Sequence, residues 1–326
     1  MGRLLAIEDL VVEYPTLSGP VLAVDGVSLD VEEGEWVSIV GESGSGKSTL
    51  ATAIIGLVPP PGRVRRGRIL FEGVNILTLN SRELKRIRGR RIGMIFQDPL
   101  TSLDPLRRVG DQIAEAILEH GLASSKREAL RMAGEALERV GIPRDRVDYY
   151  PHQLSGGQRQ RVAIASAIAL EPRLLIADEP TTALDVIVQA NIMRLLNKLR
   201  RDLGMSILFI THDIALAVEN SDRIAVMYAG KLVEYSPTED LVEDPLHPYT
   251  KGLLESAPDL WGPKRLYSIP GQPPDMRKPP RGCRFHPRCP LAVEECSRVE
   301  PGTFRFDRRI VSCILYREGG EQWSQS

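Results

Sequence analysis

Gly41-Glu42-Ser43-Gly44-Ser45-Gly46-Lys47-Ser48-Thr49 fits G-x-x-x-x-G-K-[ST], the phosphate-loop pattern. Before it, Glu35-Trp36-Val37-Ser38-Ile39-Val40 is apolar enough for a buried strand. After it, Thr49-Leu50-Ala51-Thr52-Ala53-Ile54-Ile55 reads as the first turns of a helix. That strand–loop–helix context gives the pattern its meaning. The glycines let the chain curl until successive backbone N–H groups face one anion, and a helix start adds positive potential. On this reading Gly41, Ser43, Gly44, Ser45, Gly46 and Thr49 build the cradle. Lys47 reaches the β- and γ-phosphates, and the Ser48 hydroxyl turns to Mg²⁺. The competing reading is a chance glycine loop. At ordinary residue frequencies a chain of this length matches by accident about once in a hundred, so nucleotide binding leads.

The chain has 326 residues and 42% hydrophobic content, enough for a sizeable core in one large or two modest domains. Its 42 basic and 43 acidic residues nearly cancel. That balance argues against nucleic acid as the main partner, since phosphate-backbone binders carry a basic surplus. Local basic runs at Arg63–Arg68 and Arg82–Arg91 read as solvated surface. Acids at Glu8 and Asp9 fall where a signal peptide needs an apolar core, so no export is expected. Val162–Leu170, apolar except for Ser166, is too short to cross a bilayer. A cytoplasmic chain whose membrane role comes through another subunit is the expectation.

Residues 3–40 read as short strands at Leu4–Ile7, Leu10–Tyr14, Val21–Val24, Val27–Val31 and Glu35–Val40, with Gly and Asp turns between them. By periodicity alone Tyr14 is one more strand aromatic. Pro59-Pro60-Pro61-Gly62 stops the first helix, and strands follow at Gly67–Gly73 and Gly93–Phe96. Helical spacing over Val109–Gly121 and Lys126–Val140 marks a helical insert from about Gln97 to Leu154. Then come a helix over Gly157–Leu170, a strand Leu174–Ala177, a helix Val186–Leu203, a strand Ile207–Ile210 and a helix Ile214–Glu219. A hairpin of Arg223–Met227 and Lys231–Tyr235 turns at Gly230. Strands alternating with helices imply a largely parallel sheet. From about Ser236 onward, prolines punctuate loops with short elements.

Two further stretches carry chemistry. Leu174-Leu175-Ile176-Ala177-Asp178-Glu179 is an apolar strand ending in two acids. Behind such a strand in a P-loop protein, Asp178 is placed to hold the Mg²⁺ hydration shell and Glu179 to deprotonate the attacking water. As an isolated pair, Asp-Glu is most often a solvated turn. Leu154-Ser155-Gly156-Gly157-Gln158 is a second anion cradle: the Ser155 hydroxyl and the Gly156 and Gly157 amides sit at a helix start. On its own it is a glycine helix cap. Placed before Leu174–Glu179, it resembles the signature motif of ATP-binding-cassette (ABC) ATPases.

That resemblance implies an α/β P-loop NTPase fold of the ABC ATPase kind. Such a fold has a RecA-like core, an antiparallel β subdomain and a helical subdomain, here with a Pro/Cys-rich C-terminal extension. Residues 1–96 are then the nucleotide-binding core with the β subdomain, 97–160 the helical subdomain, 161–236 the rest of the core and 237–326 the extension. Gln97 matches the family's Q-loop glutamine, which contacts Mg²⁺ and the attacking water. Ala183-Leu184-Asp185 matches the D-loop, His212 the switch histidine on the γ-phosphate, and Tyr14 the aromatic that stacks on adenine. His120, His152, His247 and His286 are left with packing or surface roles. In this family two ATPase domains face head to tail, each nucleotide lying between one P-loop and the partner's signature motif. One copy of each motif here implies a second ATPase subunit.

Phe96–Pro105, Ala177–Val186, His247-Pro248-Tyr249-Thr250 and the tail Ile269-Pro270-Gly271-Gln272-Pro273-Pro274 running into Gly282-Cys283 look like the oligopeptide/dipeptide importer ATPases. The long insert Leu57–Gly67 and the tail favour their D type. The resemblance implies an ATP-hydrolysing subunit for import of di- or oligopeptides, nickel or oligosaccharides. Its partners are a paralogous F-type ATPase, two transmembrane permease subunits and an extracytoplasmic binding protein, met at the cytoplasmic face of the membrane. The departure is Gln158, where the D type is expected to show Met. A soluble ABC ATPase acting on DNA or ribosomes is the other reading; the first kind carries long coiled coils and the second two cassettes, and neither is present.

All four cysteines, Cys283, Cys289, Cys296 and Cys313, lie in the tail. Clustered thiols in a cytoplasmic chain point to a metal rather than disulfides, but their spacing fits neither the usual zinc nor the ferredoxin pattern. Zinc, an iron–sulfur cluster and plain buried thiols stay open on spacing. By resemblance the expectation is a [4Fe–4S] cluster, with Zn²⁺ as its alternative.

Overall fold

The computed structural model describes residues 2–98, 102–182, 184–257 and 268–323. Of the stretches quoted above, Pro99, Leu100, Thr101 and Ala183 lie outside the described residues. The chain divides into two compact units: residues 1–32, 36–78 and 210–326 form the first, and 33–35 with 79–209 the second.

The first unit holds an antiparallel four-stranded sheet in the order Val21–Glu32, Arg3–Tyr14, Arg63–Phe71, Val74–Asn75. The four short strands expected over residues 4–31 are two long ones. Asp9 does not turn the chain. It takes a left-handed φ of 44° inside a bulge, and pairing resumes at once, Ile7 opposite Leu29 and Leu10 opposite Val27. The Ser28 hydroxyl accepts the Asp9 N–H at 2.8 Å, replacing the ladder bond lost in the bulge. The basic run Arg63–Arg68 is neutralised across this sheet: Arg63 and Arg65 pair with Glu13, Arg66 with Asp9 and Arg68 with Glu8. Pairs made by arginines this exposed add little stability each, about 0–1 kcal/mol, but three carboxylates offset most of the charge of the four arginines that a nucleic-acid patch needs.

The second sheet of this unit starts from Trp36–Val40, buried at all five positions. Arg223–Tyr228 lies parallel beside it, Val37 opposite Arg223 and Val40 opposite Val226. Lys231–Pro237 returns antiparallel, as the hairpin reading expects. The tail is more ordered than its prolines suggest. Arg309–Val311 pairs with the hairpin, Phe304–Phe306 with Arg309–Val311, and Glu321–Gln322 with Phe304–Phe306. Strands of two or three residues are too short to print a period of two. Two helices, Thr238–Glu243 and Pro248–Glu255, also form there. Packing anchors them: Val40, Ile224, Val226, Tyr228, Leu241, Tyr249, Leu254 and Phe285 share one core. Burying a large side chain of this sort contributes about 1.5–3 kcal/mol.

In the second unit Ile92–Ile95 runs parallel to Leu174–Asp178, Ile92 opposite Leu174, and Ser206–Thr211 neighbours the latter on its way into the first unit. Helices form over the two stretches with helical spacing. Val109–Glu119 buries Ile113 and Ile117, and Lys126–Arg139 buries Ala133 and Leu137. Gly156–Ile168 and Val186–Leu203 follow within a residue or two of their expected bounds. Part of the basic run Arg82–Arg91 folds as the helix Ser81–Ile87, closed by an Asn80–Glu83 capping box. Among the described residues no helix is long and apolar enough to cross a membrane.

Candidate functional site

In the first unit the loop Gly41–Gly46 joins a buried strand to the helix Lys47–Ile54, the arrangement its sequence implies. Two glycines are obligatory for steric reasons. A Cβ on Gly41 would lie 2.1 Å from the Met227 carbonyl oxygen. A Cβ on Gly46, at φ 99°, would lie 2.0 Å from that of Ala23. The chain therefore passes against two backbone carbonyls with no room for a side chain at either point. Lys47 is 4% exposed, with Nζ donating to the Gly41 carbonyl at 2.7 Å and the Glu42 carbonyl at 3.0 Å. The helix it opens has no side-chain cap and no acid in its first turn, which leaves the positive end of the helix to an anion. The cradle thus fits a phosphate chain, with the Ser48 hydroxyl one residue into the helix. Tyr14 ends its strand with its ring against Gly62, where an added Cβ would stand 2.5 Å from it. His212 is exposed between Thr211 and Asp213, and Asp213 caps the helix Ile214–Asn220.

Residue 42 is held from three sides, and no sequence signal marks two of its partners. Arg288, 7% exposed, grips the Glu42 carboxylate with both terminal nitrogens at 2.7 and 2.9 Å. The same guanidinium donates to the Tyr228 hydroxyl at 3.2 Å and the Pro270 carbonyl at 2.8 Å. The Tyr249 hydroxyl accepts the Glu42 N–H at 3.0 Å, and burial pushes that phenol far above its usual range. Tyr249 was quoted above only for family likeness, and Arg288 is one arginine among many.

In the second unit Asp178 is 4% exposed at the last position of its buried strand. Glu179 follows at a left-handed φ of 46°, a strained setting for a residue with a side chain. Its Oε2 accepts from Gln97 Nε2 at 3.2 Å and from Thr182 Oγ1 at 3.0 Å. So Glu179, read from the end of its strand, and Gln97, assigned by family resemblance, meet. Ser155 caps the helix Gly156–Ile168: its hydroxyl accepts the Gln158 N–H at 3.3 Å, and the Gln158 side chain accepts the Ser155 N–H at 2.9 Å. The cap of this helix is thus the serine, with both glycines inside the first turn, and not a glycine cap. Gly156 is exposed with open space where a Cβ would sit, whereas at Gly157 a Cβ would approach Val188 at 3.0 Å. Asp185 caps the helix Val186–Leu203 through the Val188 N–H at 2.9 Å.

The four cysteines are free, Cys296 and Cys313 buried, Cys283 and Cys289 half-buried. Burial raises the Cys313 thiol to about 11, and the charges of the other three push the same way. The Cys283 N–H donates to the Cys296 carbonyl at 2.8 Å, which brings those two residues together. Among the described residues, however, no three His, Cys, Asp or Glu side chains form a group that could hold a metal ion. His247, expected to have a packing role, is buried, with Nδ1 accepting the Tyr249 N–H at 3.0 Å and its own N–H on the buried Glu234 at 2.8 Å.

Residues 24–182 match the ABC transporter family and residues 233–296 the oligopeptide/dipeptide transporter C-terminal region. The oligopeptide transport ATP-binding protein OppD of Bacillus subtilis is 49% identical over 93% of this chain and 86% of its own length. The dipeptide transport ATP-binding protein DppD of the same organism is 47% identical over 98% of this chain and 97% of its own. Among solved structures, the ATP-binding cassette MJ0796, a dimer in a post-hydrolysis state bound to ADP and Pi, covers 72% of this chain and 98% of its own. It matches at a TM-score of 0.65 and 33% identity. The chain belongs to the ABC ATPases, in the branch that carries the oligopeptide/dipeptide transporter C-terminal region.

Proposed function

We propose that this chain hydrolyses ATP to power the import of di- or oligopeptides, or of related solutes such as nickel or oligosaccharides, through membrane permease subunits. The observation that carries the proposal is the Glu179 carboxylate, fixed by Gln97 and Thr182 one residue beyond a buried acid-ended strand. A carboxylate so oriented is a general base for water. The whole-length likeness to the two peptide transport ATP-binding proteins supports the solute class.

Tyr14 stacks on adenine, and Gly41 through Thr49 wraps the phosphates, with Lys47 on the β- and γ-oxygens. Ser48, Gln97 and Asp178 hold Mg²⁺, Glu179 takes the proton of the attacking water, and His212 bonds the γ-phosphate. Mg²⁺, when bound, neutralises charge on the β- and γ-phosphate oxygens. Leu154–Gln158 and Asp185 serve the nucleotide of a second ATPase subunit, a paralogous F-type chain, in a head-to-tail pair. That pair works at the cytoplasmic face on two permease subunits fed by an extracytoplasmic binding protein. Residues 97–160 act as the helical subdomain, and 237–326 as an extension beyond the ATPase core. The test is ATP hydrolysis and peptide uptake by the reconstituted complex; a complex that hydrolyses ATP yet takes up none of these solutes overturns the import reading.

For the tail we propose a [4Fe–4S] cluster on Cys283, Cys289, Cys296 and Cys313, Zn²⁺ being the alternative. Support comes from the chemistry of the donor set, four free thiols gathered in one tail, with Cys283 and Cys296 joined by a backbone hydrogen bond. Its role is structural, tying together a loop-rich segment. Iron and acid-labile sulfide with broad visible absorption after anaerobic purification support it; stoichiometric zinc without iron ends it.

A further inference from the structure

Residue 42 of the phosphate loop is a junction. Its carbonyl receives Lys47 Nζ at 3.0 Å, its N–H is spent on the Tyr249 hydroxyl at 3.0 Å, and its carboxylate is forked by Arg288 at 2.7 and 2.9 Å. The first contact is local. The other two come from the C-terminal extension, Arg288 from a point 246 residues along the chain. Arg288 is itself immobilised by the Pro270 carbonyl and by the Tyr228 hydroxyl, and its guanidinium stands 5.7 Å from the centre of the Tyr228 ring. Tyr249, Tyr228 and Phe285 pack together with centroids 4.7 to 5.2 Å apart, so both anchors rest on one aromatic base.

The chemistry of these contacts is specific. A bidentate arginine–carboxylate pair fixes orientation as well as distance, and a lysine cannot reproduce the fork. The Glu42 amide, bonded to a phenol, is withdrawn from the phosphate cradle. The lysine that contacts the transferred phosphate is held by the carbonyl of the residue the extension grips. Displacing Glu42 therefore moves an atom that positions Lys47, and errors of about an ångström at such a group are costly.

We propose that the C-terminal extension braces the nucleotide site: Arg288 and Tyr249 are positioning residues that fix Glu42, and through it Lys47, in the geometry that binds ATP. The extension thereby takes part in nucleotide affinity and is more than an appendage to the ATPase core. This rests on reading Gly41–Thr49 as the ATP cradle.

The experiment is equilibrium binding of MgATP to the full chain, with KM and kcat measured in the assembled transporter. The variants are R288Q, R288K, Y249F, E42Q and the double variant E42Q/R288Q. Arg288→Gln and Glu42→Gln each weaken ATP binding about tenfold, Tyr249→Phe about threefold, and the double variant no further than the worse single one. Arg288→Lys recovers only part of the loss. KM rises while kcat at saturating ATP stays within about twofold, a split that general loss of folded protein does not produce. If Arg288→Gln fails to give a folded chain, Glu42→Gln, made on the loop side of the contact, decides. ATP affinity within about twofold of wild type in both Glu42→Gln and Tyr249→Phe overturns the brace, as do losses that simply add in the double variant. Lys47→Ala keeps the two readings apart. If it weakens binding while the brace variants do not, the brace alone falls; if the wild-type chain binds no ATP, the cradle reading falls.

Discussion

Gln97 donates from Nε2 to Oε2 of Glu179 at 3.2 Å across 82 residues of sequence. The same oxygen takes the Thr182 hydroxyl at 3.0 Å. One carboxylate oxygen thus receives two donors, which fixes the orientation of the group that is to take a proton from water. The left-handed φ of Glu179 has the cost of a strained backbone and sets the direction of its side chain. Glu179→Gln keeps the shape and removes the basicity. Hydrolysis is expected to fall by about 10²–10⁴ with MgATP affinity retained, measured by steady-state turnover beside equilibrium binding. Turnover at the parental rate would remove Glu179 from the mechanism.

Gly46 and Gly156 make opposite predictions although both open helices. Gly46→Ala puts a methyl 2.0 Å from the Ala23 carbonyl in a left-handed conformation, so the loop must distort. The full chain should then lose ATP binding by itself, before any partner is added.

At Gly156 a methyl meets nothing within 4 Å among the described residues, so Gly156→Ala should fold and bind MgATP as the parent does. Its effect appears only on pairing, where a methyl at the first helical position stands in the way of a partner's γ-phosphate approaching the helix amides. Turnover of the paired ATPase subunits should drop at least about tenfold, with the melting temperature of the single chain unchanged. Normal turnover in the pair would show that Leu154–Gln158 serves only as the helix cap seen at Ser155.

The phosphate loop, the acid-ended strand and the glycine helix start were legible because each is a local pattern imposed by local backbone chemistry. Gln97 and Glu179 could be named separately, but nothing in their spacing says that they share an oxygen. Asp9 misled in the other direction. A turn residue between apolar runs predicts a chain reversal, and here a bulge absorbs it because the neighbouring strand continues to pair on both sides. The bond from Arg288 to Glu42 was invisible: an arginine in a proline-rich tail carries no sign of its partner until the tail folds. The strands Phe304–Phe306 and Arg309–Val311 were equally hidden, being too short for periodicity and held by the sheet they extend.

The anchoring of the extension depends on pH through His247. Burial holds its imidazole at about 3 against an ordinary value of 6.5, and its Nδ1 must stay unprotonated to accept the Tyr249 N–H. Between pH 6.5 and 3 the unfolded chain takes up a proton that the folded chain refuses, so stability falls as pH drops through that interval. The loss is at most about 1.4 kcal/mol per pH unit. Glu234, whose carboxylate accepts the His247 N–H, pulls the other way: burial raises its pKa, so its contribution is lost as pH rises above the ordinary carboxylate range. The two slopes overlap, and only a variant separates them. His247→Asn keeps a side-chain acceptor at the start of the helix Pro248–Glu255 and cannot titrate. Its smaller side chain costs a fixed amount at every pH, through lost contact with Phe285. Relative to wild type, the variant should therefore gain about 2 kcal/mol between pH 6.5 and 5, read from denaturant melts at half-unit steps. A difference that stays flat across that window would mean that the imidazole is not held neutral, and the proton-free cap at Tyr249 would have to be abandoned.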